Sequence, residues 1–129
     1  MRRATLLTTL LSLLAIPALA SAAGLQPFDA QRFEQLQAAG KPIVVAVHAS
    51  WCPTCKAQRP IQAALMQGPA FRGYTLFTVD FDTDQAVLER FHVIKQSTMI
   101  VFKGRIEVGR SIGDTQRGSI EALMLKARG

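Results

Sequence analysis

The most informative stretch of the sequence lies between residues 43 and 56, which read IVVAVHASWCPTCK. Its first half is apolar except for His48, which is the pattern of a strand buried on both faces of a sheet. Pro53 stands in the first turn of the segment that follows, where a missing N–H costs a helix nothing. The stretch therefore predicts a buried strand that leads directly into a helix, with Cys52 and Cys55 at the junction.

These two cysteines are placed for dithiol chemistry. Unpaired N–H groups and the dipole at a helix amino end favour the thiolate of Cys52. Cys55 lies one turn further in, where we expect it to be less exposed and able to close a small disulfide ring, and Lys56 adds positive charge nearby. We therefore expect Cys52 to attack a substrate disulfide and Cys55 to resolve the mixed disulfide.

A structural disulfide and half of a zinc site are the alternative interpretations of this cysteine pair. A zinc site needs about four ligands, and the sequence contains only these two cysteines. The position at the start of a helix favours a redox pair over a merely structural bridge.

The rest of the chain extends this unit into one α/β domain. No repeat or low-complexity linker interrupts it. The predicted elements are a helix capped by Asp29 and ended by Gly40, a strand over 43–49, a helix over 52–67 kinked at Pro60, a strand over 74–80, a helix capped by Asp82 or Thr83, a hairpin over 98–102 and 106–108, and a helix over 116–127. This order predicts a central mixed β-sheet flanked by helices on both faces.

Residues 1–22 have the composition of a secretory signal peptide. Two arginines precede an uncharged, leucine-rich stretch, and small residues follow it. The apolar part is short for a membrane anchor, which needs about 20 predominantly apolar residues. We therefore expect cleavage after Ala20, Ala22 or Ala23, leaving an exported domain over 23–129 that does not span the membrane.

The formal charge of +6 raises the question of nucleic-acid binding. Cleavage would remove Arg2 and Arg3 and lower this charge by two, and the remaining cations are scattered along the chain. They form no basic run and no basic face interleaved with aromatic residues. We predict that nucleic acid is not a partner. No heptad or exposed apolar stripe indicates an oligomeric state.

From Phe28 to its end, the chain resembles the thioredoxin family. The resemblance rests on the strand and motif over 44–56, the proline in the following helix at Pro60, the strand and turn over 98–104, and Gly113 before the last helix. It implies the thioredoxin fold, thiol–disulfide oxidoreductase activity without a metal or other cofactor, and protein substrates with thiols or disulfides. With the predicted leader, the chain is similar to periplasmic members from Gram-negative bacteria, which implies a membrane redox partner.

The chain departs from the family pattern around the cysteines. Ser97 stands where the family usually has a cis-proline, immediately before Thr98. Since a cis bond before another residue costs about 2.5–4 kcal/mol, we expect a trans bond and an altered substrate groove. Ala46 replaces the buried acid that often assists the resolving cysteine, so the proton of Cys55 must leave through water or His48.

Other residues beside the cysteines have weaker assignments. The dipeptide Pro53-Thr54 is more like that of oxidising members than that of cytoplasmic thioredoxin. The resemblance implies that Trp51 packs against the active site or contacts substrate. His48 is interpreted as a residue that caps a strand end with a hydrogen bond, and tuning of Cys52 or metal ligation are the alternatives.

A binding module is the alternative to an enzyme. Soft thiolates suit copper(I), and a metallochaperone-like protein would hold this ion through Cys52, Cys55 and either His48 or Met99. Loss of the cis-proline would open the site to a metal. The sequence has no Met-rich or His-rich tract, so we favour the oxidoreductase.

Overall fold

The structure is a computed structural model that describes residues 24–129, so the predicted signal peptide lies outside the described residues. The elements in chain order are β1 (Leu25–Pro27), α1 (Ala30–Ala38), β2 (Pro42–His48), α2 (Pro53–Gln67), β3 (Thr75–Asp80), α3 (Gln85–Arg90), β4 (Thr98–Lys103), β5 (Ile106–Ile112) and α4 (Arg117–Leu125). Within this part of the chain, no helix is long and apolar enough to cross a membrane.

The five strands form one mixed sheet in the spatial order β1-β3-β2-β4-β5. β3 is parallel to both β1 and β2, whereas β4 is antiparallel to both β2 and β5. β2 is therefore the central strand, and its residues 43–47 are all buried. This position explains the unbroken apolar pattern of the strand, and it confirms the predicted mixed sheet.

Side chains of β2 alternate between two hydrophobic cores, because successive residues of a strand point to opposite faces. Its residues 43, 45 and 47 pack with α1 and α3, where Phe33 and Leu88 are buried. Its residues 44 and 46 pack with α2 and α4, through Leu65 and Ile120. Helices thus cover both faces of the sheet, and His48, two residues after Ala46, faces α2.

The first strand, β1, was not predicted from the sequence. β1 contains only three residues, too few to show a period, and it is a strand because Leu25 pairs with Leu76 at the edge of the sheet. The second strand of the hairpin also runs further than predicted, from Ile106 to Ile112. The pairing of this edge strand with β4 contains a register shift between Val101 and Phe102.

The predicted cap of α3 was wrong. The residue before this helix is Asp84, whereas Asp82 and Thr83 belong to the preceding turn. Their backbone N–H groups donate to Oδ1 of Asp80, at 2.8 and 3.1 Å. In contrast, the predicted cap of α1 is confirmed, since Oδ1 of Asp29 accepts from the N–H of Arg32 at 2.7 Å.

Candidate active site

Cys52 is the N-cap residue of α2, at the point where the chain leaves the carboxyl end of the central strand. Its Sγ accepts a hydrogen bond from the backbone N–H of Cys55 at 3.1 Å. Pro53 occupies the first turn of the helix, where its fixed φ favours helical backbone. This local geometry places one sulfur where N–H groups and the helix dipole stabilise negative charge.

Cys55 is buried one turn inside α2, and both cysteines are free thiols in this structure. Burial raises the pKa of the Cys55 thiol, and the hydrogen bond with Cys52 adds to this effect. Backbone groups of Ala49 and Ser97 lower it in part. The expected difference in solvent exposure is not found, because Cys52 is 1% and Cys55 2% exposed. Phe81 packs against the cluster that Ala49 and the two cysteines form.

Trp51 lies at the rim of the site and is 56% exposed. Its indole Nε1 donates to Oδ2 of Asp82 at 2.9 Å. Asp82 is a site residue that the sequence did not reveal, because 31 positions separate it from Trp51. The carboxylate of Asp80 accepts the backbone N–H groups of Asp82 and Thr83, and the carboxylate of Asp84 accepts the N–H of Asp80.

Ser97 lies beside Cys55 and precedes β4. Residues 24–129 contain no cis peptide bond, so the expected trans bond before Ser97 is found, with φ of +60° at Ser97 itself. Its N–H donates to the carbonyl of Val47 at 2.9 Å. Its carbonyl accepts from the N–H of Gly113 at 3.0 Å and from Nε2 of Gln58 at 3.2 Å.

Gln58 is a second residue that the sequence did not reveal. Its side chain is buried in α2, one turn after Cys55, and also donates to the carbonyl of Asp114 at 2.8 Å. It therefore connects the cysteine helix to the Ser97 loop and to the segment before α4. A polar residue at a buried helix position is the only local signal of such a role.

The other predicted supporting residues surround the cysteines in different ways. Lys56 and Pro53 are exposed on the first turn of α2, and Thr54 is half-buried there. Thr98 is buried behind the Ser97 loop, and its Oγ1 donates to the carbonyl of Lys95 at 2.6 Å. This hydrogen bond connects the Thr98 side chain to the backbone of the loop that precedes β4.

His48 ends β2 on the face that packs against α2. Its carbonyl accepts the N–H of Phe81 at 2.8 Å, but its ring Nδ1 is buried without a hydrogen-bond partner. The expected strand-end hydrogen bond is therefore not made by this atom. His48 also lines a small cavity of about 10 Å³, together with Cys55 and Gln58.

Among residues 24–129, no three or more His, Cys, Asp or Glu side chains are grouped to hold a metal ion. Met99 is fully buried in the core that contains Ala46. The two thiols are thus the soft ligands that the described part of the site offers to copper(I).

Comparison with known proteins identifies the fold and the cysteine motif together. The family model described as Thioredoxin matches residues 25–126. The chain belongs to the thioredoxin family. Thioredoxin from Chlamydia muridarum is 32% identical to it over 84 residues, which cover 65% of this chain and 80% of that protein. Trxlp from Edwardsiella tarda has a similar structure, with a TM-score of 0.75 and 40% identity over 78% of this chain and 97% of that one.

Another thioredoxin-family relative is much longer than this chain. The bifunctional thioredoxin reductase/thioredoxin of Mycobacterium leprae is 31% identical over 85 residues, but the match spans 18% of that protein and 66% of this chain. The predicted fold and family are confirmed by these comparisons. The chain is a thiol–disulfide oxidoreductase of the thioredoxin type, a class that acts on protein disulfides.

Proposed function

We propose that this thioredoxin-family protein exchanges disulfides with exported proteins, using Cys52 as the attacking thiolate and Cys55 as the resolving thiol. The observation that carries this assignment is the hydrogen bond from the Cys55 N–H to the Cys52 Sγ at the amino end of α2. Both cysteines are buried, but only Cys52 has its sulfur at the helix end, whereas Cys55 lies one turn inside the helix. The sulfur at the helix end is the one suited to attack.

The reaction has two exchange steps. The Cys52 thiolate forms a bond to one sulfur of the substrate disulfide, and the other substrate sulfur leaves as a thiolate. The Cys55 thiolate then attacks Sγ of Cys52, which releases the second substrate sulfur and forms the Cys52–Cys55 disulfide. The substrate gains two electrons and the protein dithiol loses them. Because Cys52 is only 1% exposed, its sulfur has to become more accessible before a substrate sulfur can reach it.

Substitution of each cysteine tests these roles in an insulin-reduction assay. We expect Cys52→Ser to reduce turnover to the uncatalysed background, since no attacking thiolate remains. Cys55→Ser should stop after the first step and accumulate a mixed disulfide on Cys52, visible by mass spectrometry. Gln67→Ser, an exposed change at the far end of α2, is the matched control. Turnover in Cys52→Ser, or mixed disulfides formed on Cys55, would contradict the assignment.

Export to the periplasm is the second part of the proposal. It is supported by the charged start, apolar stretch and small residues of 1–22, and by the persistence of disulfides in that compartment. An exported dithiol needs a membrane partner that supplies or removes electrons. N-terminal sequencing after expression in a Gram-negative host tests this part, and an uncleaved Met1 would contradict it.

Copper binding remains the alternative to this function. It rests on the same two thiols, and the described residues add no grouped third ligand from His, Asp or Glu. The reductase assay separates the two functions, because a metallochaperone would not turn over insulin.

A further inference from the structure

The cavity between β2 and α2 contains a titratable group that the two exchange steps above do not use. Its lining includes Ala46 and His48 from the strand and Cys55 and Gln58 from the helix. Its volume of about 10 Å³ is at the lower limit for one water molecule. The cavity is thus a small space that His48 and the resolving thiol share.

One nitrogen of the His48 ring, Nδ1, is buried and makes no hydrogen bond to the described residues. Leaving a buried polar atom unpaired costs about 1–3 kcal/mol, so an atom in this situation calls for a compensating role. An imidazole nitrogen that carries no proton is a proton acceptor, and His48 lines the same cavity as Cys55.

Cys55 needs such an acceptor when it resolves the mixed disulfide. A thiol attacks a disulfide as the thiolate, so its proton has to leave first. Burial raises the pKa of Cys55, which makes loss of this proton to bulk solvent less favourable. A base that reaches the thiol from inside the protein removes this obstacle.

We propose that His48 accepts the proton of Cys55, through one water in the shared cavity, when Cys55 resolves the mixed disulfide. The Sγ–H proton passes to the water as the water gives a proton to Nδ1. The Cys55 thiolate then forms the bond to Cys52, and the substrate sulfur leaves with the electron pair of the broken bond. This inference rests on the roles of Cys52 and Cys55 proposed above.

Charged groups around the ring act in opposite directions. Asp80 is the partner of His48 in the parallel register of β2 and β3, so its side chain points to the same face of the sheet. Its negative charge favours the imidazolium that forms when the proton arrives. Arg59 of α2 also lines the cavity, and its positive charge opposes that imidazolium. The ionisable groups that line the cavity are His48, Cys55 and Arg59.

The two exchange steps can be observed separately with the small disulfide 5,5′-dithiobis(2-nitrobenzoate). In stopped-flow mixing with the reduced protein, attack by Cys52 releases one coloured thiolate, and resolution by Cys55 releases a second. We expect His48→Leu to keep the rate of the first phase within about twofold of the wild-type rate. The rate of the second phase should fall by about tenfold or more at pH 7. His48→Gln, which keeps a polar side chain of similar size but accepts no proton, should behave in the same way.

The pH profile distinguishes proton transfer from a structural role. In the wild type, the rate of the second phase should vary with pH, because an imidazole accepts a proton only in its neutral form. Both His48 variants should lose this dependence. His92→Asn is the matched control, because it removes the other imidazole at an exposed position whose φ of +53° asparagine tolerates.

Rescue by a carboxylate in the same cavity completes the test. Ala46→Asp introduces a second proton acceptor beside Cys55, and added to His48→Leu it should restore most of the second phase. A second phase that keeps its rate and pH profile in both His48 variants would overturn the proposal. Failure of the wild type to release even the first thiolate would instead overturn the function on which the proposal rests.

Discussion

The two cysteine sulfurs have the same degree of burial but different surroundings. Sγ of Cys52 accepts an N–H at the end of a helix, whereas Cys55 is enclosed between α2 and β2. Burial penalises a charge that has no compensating donor, and it is the main cause of the raised pKa of Cys55. The resting protein therefore keeps Cys55 as a thiol until the mixed disulfide has formed.

This raised pKa predicts a loss of stability at alkaline pH. The ordinary pKa of the thiol is 9.0. Above this pH the unfolded chain has lost a proton that folded Cys55 still holds, so the free energy of unfolding falls as the pH rises towards the folded-state value. Below it, the contribution is fully present. Urea unfolding of the reduced protein between pH 7.5 and 10 should show a steeper decline than Cys55→Ala, in which Tyr74 still titrates. Equal slopes would contradict this account.

Residue-level prediction from the sequence succeeded for positions in the fold that depend on near neighbours. Spacing alone located Cys52 at the helix start and Cys55 one turn later. Gln58 and Asp82 were not found, because their partners lie 39 and 31 positions away in the sequence. The unpaired ring nitrogen of His48 is likewise a product of packing between β2 and α2, which no local pattern reveals.

At the level of elements, the Ser97 loop is fixed against the sheet by its own backbone. Its N–H bonds to β2 through Val47, and its carbonyl is held by Gln58 and Gly113. A left-handed φ at a non-glycine residue is strained by roughly 1–2 kcal/mol, and these three hydrogen bonds maintain it. The loop therefore presents a backbone conformation different from that of a proline at this position.

Ser97→Pro is expected to destabilise the protein rather than only to alter its substrate preference. Proline fixes φ near −65° and removes the N–H that bonds to Val47. We expect a loss of more than about 1 kcal/mol in the free energy of unfolding, measured by urea denaturation. Ser97→Gly is the matched control, since it keeps the N–H and accepts the positive φ, and it should be neutral or stabilising. An unchanged stability of Ser97→Pro would show that the loop has a second favourable conformation.

Elements with a long hydrophobic pattern were predicted well, and short ones were not. The bounds of β2 and α2 were predicted to within one or two residues. The apolar pattern of β2, which is buried on both faces, and that of α2, which is buried on one face, each extend over many positions. β1 is a strand because it pairs with β3. The start of α3 depends on which backbone N–H groups donate to the Asp80 carboxylate. Tertiary contacts decide such elements.

At the scale of the whole molecule, the topology concentrates the chemistry at one end of the central strand. His48 lies at the carboxyl end of β2 and Cys52 follows it, and the Ser97 loop reaches the same end of the sheet before the antiparallel strand β4. The two cores on either side hold these elements in a fixed relation. Both cores thus support the site, and Trp51, which is 56% exposed, lies at its rim.

The most direct test of the central claim is an equilibrium redox titration of the metal-free domain in glutathione buffers, with the thiols trapped by alkylation. We expect one reversible two-electron transition for the Cys52–Cys55 couple, between about −270 and −120 mV. A midpoint near or below roughly −230 mV would assign a reductase, and one above roughly −180 mV an oxidase or isomerase. The absence of any reversible transition would contradict the oxidoreductase account and favour copper binding.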